Sequence, residues 1–374
     1  MNDKYKGLFE PFQFKNGVSL KNRIIMAPMT NFSSNSDGTV SDAEVNYYAR
    51  RSKGVSMVIT ACTYVTPNGK GFPGEFAGDR DEMIPSLNRL ASAIKEEGAK
   101  ALLQIFHGGR ECPPNLVPNG ETVSASAVAS ERAGSVTPRE LSEEEIEDII
   151  HAFGETTRRA INANYDGIEI HGANGYLIQQ FFSPHSNRRE DKWGGTLEKR
   201  LTFPLAIVDE VKKVVKEHAK APFIIGYRFS PEEPETPGIT MADTLRLMDV
   251  LADRGLDYLH VSQTDYKAVP RRGIEDKRTR LEIIQERVGD RIPIIGVGSI
   301  YQAEDALDAI KMGVQLLALG RELIIDPDWV EKIESGREGE IVTKIDKNAQ
   351  QRLVVPDPLW KAIVNSPGWF PGVD

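Results

Sequence analysis

The stretch "HGANGYLIQQFFSP", His171 to Pro184, follows the strand-like run "YDGIEI". It sets a histidine, an asparagine three residues on and a tyrosine two beyond that, just where an apolar strand stops. Imidazole, amide and phenol are all hydrogen-bonding groups. Gathered at one strand end they can hold an oxygen atom and move a proton, provided the chain builds a pocket around them. Plainer readings exist for each alone. Tyr176 could be a packed aromatic and His171 a satisfied core histidine. A purely structural turn, however, could be made with less.

The elements that must position these residues alternate in kind. Eight apolar runs begin at Arg23, Val55, Ala99, Tyr165, Ala221, Gly255, Ile292 and Val314. Amphipathic segments lie between them. "SEEEIEDIIHAFGETTRRAINA" carries Ile146, Ile149, Ile150 and Phe153 at helical spacing and opens with Ser142 and Glu145, a capping-box pair. Gly54, Gly98, Gly255, Gly289 and Gly313 fall at ends of helical runs, where left-handed caps are expected. The strands alternate only weakly, as expected when both faces are buried. A (β/α)8 barrel accounts for this pattern better than a doubly wound open sheet. "LFEPFQFKNGVSLKN", with its Asn16-Gly17 turn, reads as a hairpin (residues 8–22) plugging the N-terminal end. Residues 1–336 are expected to form a single barrel domain, with 337–374 a C-terminal tail.

Composition narrows the classes. The 374 residues are 40% hydrophobic and 27% charged, ordinary for a globular protein, and the net charge of −9 argues against a broad nucleic-acid face. No long uncharged apolar run and no leader-like start occur, so a cytoplasmic protein without membrane contact is expected. Cys62 and Cys112 cannot build a disulfide framework or a four-thiolate cluster. His151, His185, His218 and His260 lack paired metal spacing, so no metal is expected.

In such barrels chemistry sits at the C-terminal strand ends. The first strand delivers Ala27, Pro28, Met29 and Thr30, the second Ala61 and Cys62, the third Gln104 and His107. The fourth delivers His171, Asn174 and Tyr176, the fifth Arg228, and the sixth Ser262 and Gln263. Strands seven and eight end in Gly298-Ser299 and Gly320-Arg321. Loops after those two strands commonly hold a phosphate, which glycines let the backbone approach and an arginine can grip. Tight turns and a surface arginine would be the bland alternative. A buried Arg228 would need an anionic partner.

With these residues in view the chain resembles the Old Yellow Enzyme family of FMN-dependent ene-reductases. "LKNRIIMAPMT", "LLQIFHGGR", "DGIEIHGANGYLIQQFFSPHSNRREDKWGGTLEKR", the strand-five arginine and "ALGRELIIDP" carry the likeness, over roughly residues 8–330. The resemblance implies a (β/α)8 barrel with non-covalent FMN at its mouth and NADH or NADPH as reductant. Ala27–Thr30 would border the flavin, with Thr30 near its C4 carbonyl. Ala61 would touch the ring and Gln104 its pyrimidine edge. Arg228 would stabilise the anionic reduced flavin, and Gly298, Ser299, Gly320 and Arg321 would hold the phosphate. His171 and Asn174 match the pair that binds a substrate carbonyl oxygen, and Tyr176 matches the proton donor. An α,β-unsaturated carbonyl compound would then be reduced by ping-pong hydride transfer through flavin N5. Both nicotinamide and enone would be small-molecule partners; a homo-oligomer is compatible.

The chain has Thr30 where some relatives have cysteine, Asn174 where some have a second histidine, and Phe32, at a substrate-facing position, where some have tyrosine. Trp193 and Lys199 replace the usual tyrosine and asparagine. Two other layouts are a barrel-only relative of 2,4-dienoyl-CoA reductase and a non-enzymatic flavin-binding sensor. An aldolase-type barrel would need a lysine at a strand end, and none is expected there. Cys62 is read as a packing residue, His107 is left without a role, and "EEEIED" reads as a solvated helix start.

Overall fold

Residues 2–373 are described by a computed structural model. Eight parallel strands form the centre: β1 (Ile24–Met26), β2 (Met57–Tyr64), β3 (Lys100–Phe106), β4 (Gly167–Gly172), β5 (Ile224–Phe229), β6 (Tyr258–Val261), β7 (Ile294–Val297) and β8 (Leu316–Leu319). Each pairs with its neighbour in sequence, and β8 pairs with β1 through Ala318 and Ile25, which closes the barrel. Helices follow the strands: α1 (Asp42–Ser52), α2 (Ile84–Glu96), α3 (Glu143–Asn162), α4 (Thr202–His218), α5 (Met241–Ala252), α6 (Arg280–Val288) and α7 (Ala303–Lys311). The eighth helical layer is split into α8 (Arg321–Ile325) and α9 (Trp329–Glu334). This is the expected (β/α)8 barrel.

Local chemistry sets the helix starts. The Ser142–Glu145 capping box forms at α3, and equivalent boxes at Ser41, Thr240 and Thr279 start α1, α5 and α6. The glycine expectation holds in part. Gly98, Gly255 and Gly313 adopt φ of 93°, 70° and 95°, but Gly54 and Gly289 are not left-handed. Gly289 has φ −62°, and a Cβ there would lie 1.8 Å from the Gln285 side chain. Close approach, not turn handedness, explains that glycine.

The hairpin of short strands Phe12–Gln13 and Ser19–Leu20 closes the lower end of the barrel. Phe14 and Leu20 bury themselves among the inward side chains Ile25, Met57, Leu102, Ile224, Ile295 and Leu316. Residues 337–373 fold back on the barrel. Leu353, Leu359, Ile363, Phe370 and Val373 are buried, and the buried Arg51 of α1 donates to the Leu353 carbonyl at 2.5 Å. Among the described residues no helix is long and apolar enough to cross a membrane.

Candidate functional site

The loop after β4 is built by its own polar residues. Asn174 (φ 59°) and Gly175 (φ 79°) turn the chain in two left-handed steps. The Asn174 N–H donates to Ser230 Oγ at 2.8 Å. The Gly175 N–H donates to Gln179 Oε1 at 3.0 Å, and Gln179 Nε2 donates to the buried Glu233 at 2.8 Å. Gln180 Nε2 donates to the Gly175 carbonyl at 2.7 Å. So "QQ" in the motif serves as the loop's internal scaffold. Downstream, Thr196 caps a short helix through the Lys199 N–H, and Trp193 packs edge-on to Phe203.

His171, Asn174 and Tyr176 converge with Thr30, Gln104 and Arg228 on one small cavity of about 70 Å³, also lined by Pro28, Met29, Cys62 and Phe72. Hydrogen bonds fix which atoms face it. The Ala173 N–H donates to His171 Nδ1 at 3.3 Å, leaving the ring proton on Nε2. Burial, helped by Arg228, lowers the His171 pKa to about 3, so the ring is neutral. Asn174 Oδ1 accepts from Ser262 Oγ at 2.8 Å, which leaves its Nδ2 donors free. Gln104 Nε2 donates to Glu169 at 2.8 Å, which turns its Oε1 acceptor outward. Tyr176 stands edge-on to Phe106 (4.6 Å between ring centres), His171 (5.1 Å) and Phe72 (6.1 Å). Desolvation among those rings pushes its phenol well above the usual value, so it carries its proton throughout neutral pH.

A wider cavity of about 510 Å³ adjoins the first at Pro28, Met29 and Arg228. Its wall includes Ala27, Gly298, Ser299, Gly320 and Arg321. Arg321 Nη2 donates to Ser299 Oγ at 2.9 Å, and Nη1 donates to the Trp369 carbonyl at 2.9 Å. Ser299 Oγ in turn donates to the Thr264 carbonyl at 2.7 Å. Gly298 has φ 128°, and a Cβ there would sit 2.8 Å from the Asp265 backbone. Three buried groups on this wall lack full partners among the described residues: Arg228 Nε, both amide atoms of Gln263 and both oxygens of Glu322. Burial raises the Glu322 pKa to about 10, so it is uncharged and does not oppose an anion. A concave wall that carries Arg321, the Gly298 and Gly320 backbones and these incompletely partnered polar side chains fits a group with a hydrogen-bonding edge and a phosphate, as FMN has.

Two expected residues stand apart from these walls. Ala61 is buried, and its N–H donates to Tyr48 Oη at 2.7 Å; Cys62 lines the small cavity in its stead. The register of β2 slips between Ile59 and Cys62, which shifts the inward position by one residue. Phe32 is packed behind Phe72, with ring centres 5.9 Å apart, and Phe72 supplies the wall. Sequence reasoning missed Phe72, Trp369 and Glu322. His107, left without a role, is buried and accepts from the Gly109 N–H at 3.0 Å, so it shapes the loop after β3.

The sequence profile of the NADH:flavin oxidoreductase / NADH oxidase family matches residues 7–340. The chain belongs to this family. The "Probable NADH-dependent flavin oxidoreductase YqiG" of Bacillus subtilis (strain 168) is 56% identical over 374 residues, 100% of each chain. The NADH:fumarate oxidoreductase of Klebsiella pneumoniae (strain 342) is 44% identical over 95% of this chain, which spans only 38% of that protein. A solved structure of morphinone reductase in complex with tetrahydroNAD aligns with TM-score 0.75 at 27% identity, covering 88% of this chain and 91% of that one. The Old Yellow Enzyme resemblance therefore holds, and with family membership come FMN as cofactor and NADH or NADPH as electron source.

Proposed function

We propose that this flavin oxidoreductase reduces the C=C bond of α,β-unsaturated carbonyl compounds with electrons from NADH. FMN, when bound, supplies a carrier that takes two electrons from the nicotinamide and passes them to the substrate. The chain's own residues do the rest. Gln104 Oε1 would accept from the pyrimidine edge, Thr30 would meet the neighbouring carbonyl, and Arg228 would offset negative charge there. Gly298, Ser299, Gly320 and Arg321 would hold the phosphate, with Ala27, Pro28 and Met29 against the ring system.

The observation that carries the reading is the fixed polarity of the small cavity. His171 Nε2 and Asn174 Nδ2 are left as donors by the bonds their other atoms make. Two donors on one carbonyl oxygen draw electrons from the conjugated double bond and stabilise the enolate charge. Tyr176, kept protonated, can give its proton to the α-carbon. Anaerobic incubation with NADH and a cyclic enone tests this: the saturated ketone should form mole for mole with NADH consumed. No ketone from FMN-loaded protein would refute it.

A second reading comes from the fumarate-reducing relative, which shares only 38% of its length with this chain. In that reading the shared part oxidises NADH and hands electrons to another acceptor. Ferricyanide reduction by NADH without consumption of enone would favour it.

A further inference from the structure

Below the small cavity the barrel interior holds a buried carboxylate, Glu169, to which the proposed chemistry assigns no task. It lies on β4 two residues before His171, so both side chains point inward. Its register partner on β3 is Gln104, whose Nε2 donates to Oε1 at 2.8 Å. Tyr258 Oη donates to Oε2 at 2.9 Å, and His260 Nδ1 donates to the same oxygen at 2.8 Å. Gly226 makes this possible: a Cβ there would lie 2.0 Å from the Tyr258 ring.

The contacts continue upward. His260 donates through Nδ1 to Glu169, and Arg228 Nη1 lies against the face of the imidazole, 3.1 Å from Nε2 and 3.3 Å from Nδ1. Arg228 Nη2 donates to Ser262 Oγ at 3.1 Å, and Ser262 Oγ donates to Asn174 Oδ1 at 2.8 Å. Burial opposes charge on Glu169, but His260, Arg228 and Gln104 outweigh it and keep the carboxyl ionised. Burial lowers the His260 pKa to about 4, so that ring is neutral. The interior thus pairs one negative charge with the positive charge of Arg228, through an uncharged bridge.

We infer that Glu169 is a positioning residue with two effects: it fixes the acceptor end of Gln104 toward the flavin, and it is the counter-charge that limits how strongly Arg228 favours electrons on the flavin. The inference rests on FMN occupying the cavity above Gln104 and Arg228. A fixed anion behind the guanidinium lessens the positive potential reaching the cavity. Removing that anion while keeping its shape makes the cofactor easier to reduce.

The test is Glu169→Gln in the FMN-loaded protein, with the midpoint potential measured by dye equilibration. The expected shift is upward, about tenfold in the reduction equilibrium or ~30 mV for a two-electron couple. Reduction by NADH should quicken while oxidation by enone slows, opposite changes that a loosened fold would not produce. Glu169→Asp retains the charge but withdraws it from Gln104. It should keep the wild-type potential and bind FMN more weakly, and it serves also if the glutamine variant does not fold. An unchanged potential in Glu169→Gln overturns the counter-charge; unchanged FMN affinity in Glu169→Asp overturns the orientation of Gln104. An FMN affinity that Arg321→Ala leaves at the wild-type value would instead refute the cavity reading itself.

Discussion

The barrel interior has two halves of opposite character. The lower one is closed by Phe14 and Leu20 over Ile25, Met57, Leu102 and Leu316, all apolar and all buried. The upper one holds Gln104, Glu169, His171, Arg228 and His260, equally buried and all polar. Strand β3 supplies both, with Leu102 below and Gln104 two residues above. Below, burial of hydrocarbon stabilises the fold without regard to charge. Above, each polar side chain is tolerated because another partners it, and the group borders a cavity. Stability and chemistry are thus segregated along the barrel axis.

Substitutions can break that segregation. Phe14→Ala removes the plug's ring and should cost about 3–5 kcal/mol in denaturant unfolding. Its FMN spectrum and midpoint potential should stay those of wild type; a changed potential would mean the halves are coupled. In the upper half, Tyr176→Phe should slow oxidation by a cyclic enone about 10²-fold or more, the loss of a positioned acid. Reduction by NADH, followed in the same stopped-flow instrument, should be unaffected. Arg321→Ala should weaken FMN retention by about 1.5–3 kcal/mol, the worth of a charge-assisted hydrogen bond, measured by fluorescence titration.

His171→Ala should weaken binding of an enolate-like phenol by a similar or smaller amount, read from its long-wavelength band with the flavin. The sign of the His171 shift adds a check. A pKa lowered to about 3 keeps the ring neutral from pH 5 to 9, so wild-type phenol binding should show no inflection near the usual histidine value. The smallest effect belongs to neither half: Ser142→Ala opens the α3 capping box and should cost about 1 kcal/mol with every site property intact.

Legibility in the sequence follows the same divide. The lower half was readable because apolar runs and the Asn16-Gly17 turn are local signals. The His171, Asn174 and Tyr176 group was readable because one loop carries all three. Phe72 and Trp369 were not: both come from irregular segments distant from the strand ends they serve, and periodicity says nothing about such returns. Cys62 stands where Ala61 was expected because a slip in β2 pairing has no marker in the sequence. Glu169 left a trace that could have been followed. It is a charged residue within an apolar strand, on the same face as His171.

The return of Trp369 has a consequence for how the protein is made. Its carbonyl accepts from Arg321, 48 residues earlier in the chain, and the residue lines the wide cavity. All eight strands are synthesised before that segment exists. A nascent chain halted after β8 would lack this part of the cavity wall, with Arg321 lacking one of its two partners. Completion of the wall therefore follows translation of the barrel, and a ribosome-arrested chain should mature only on release of residue 369 and the refolding of the tail onto α1.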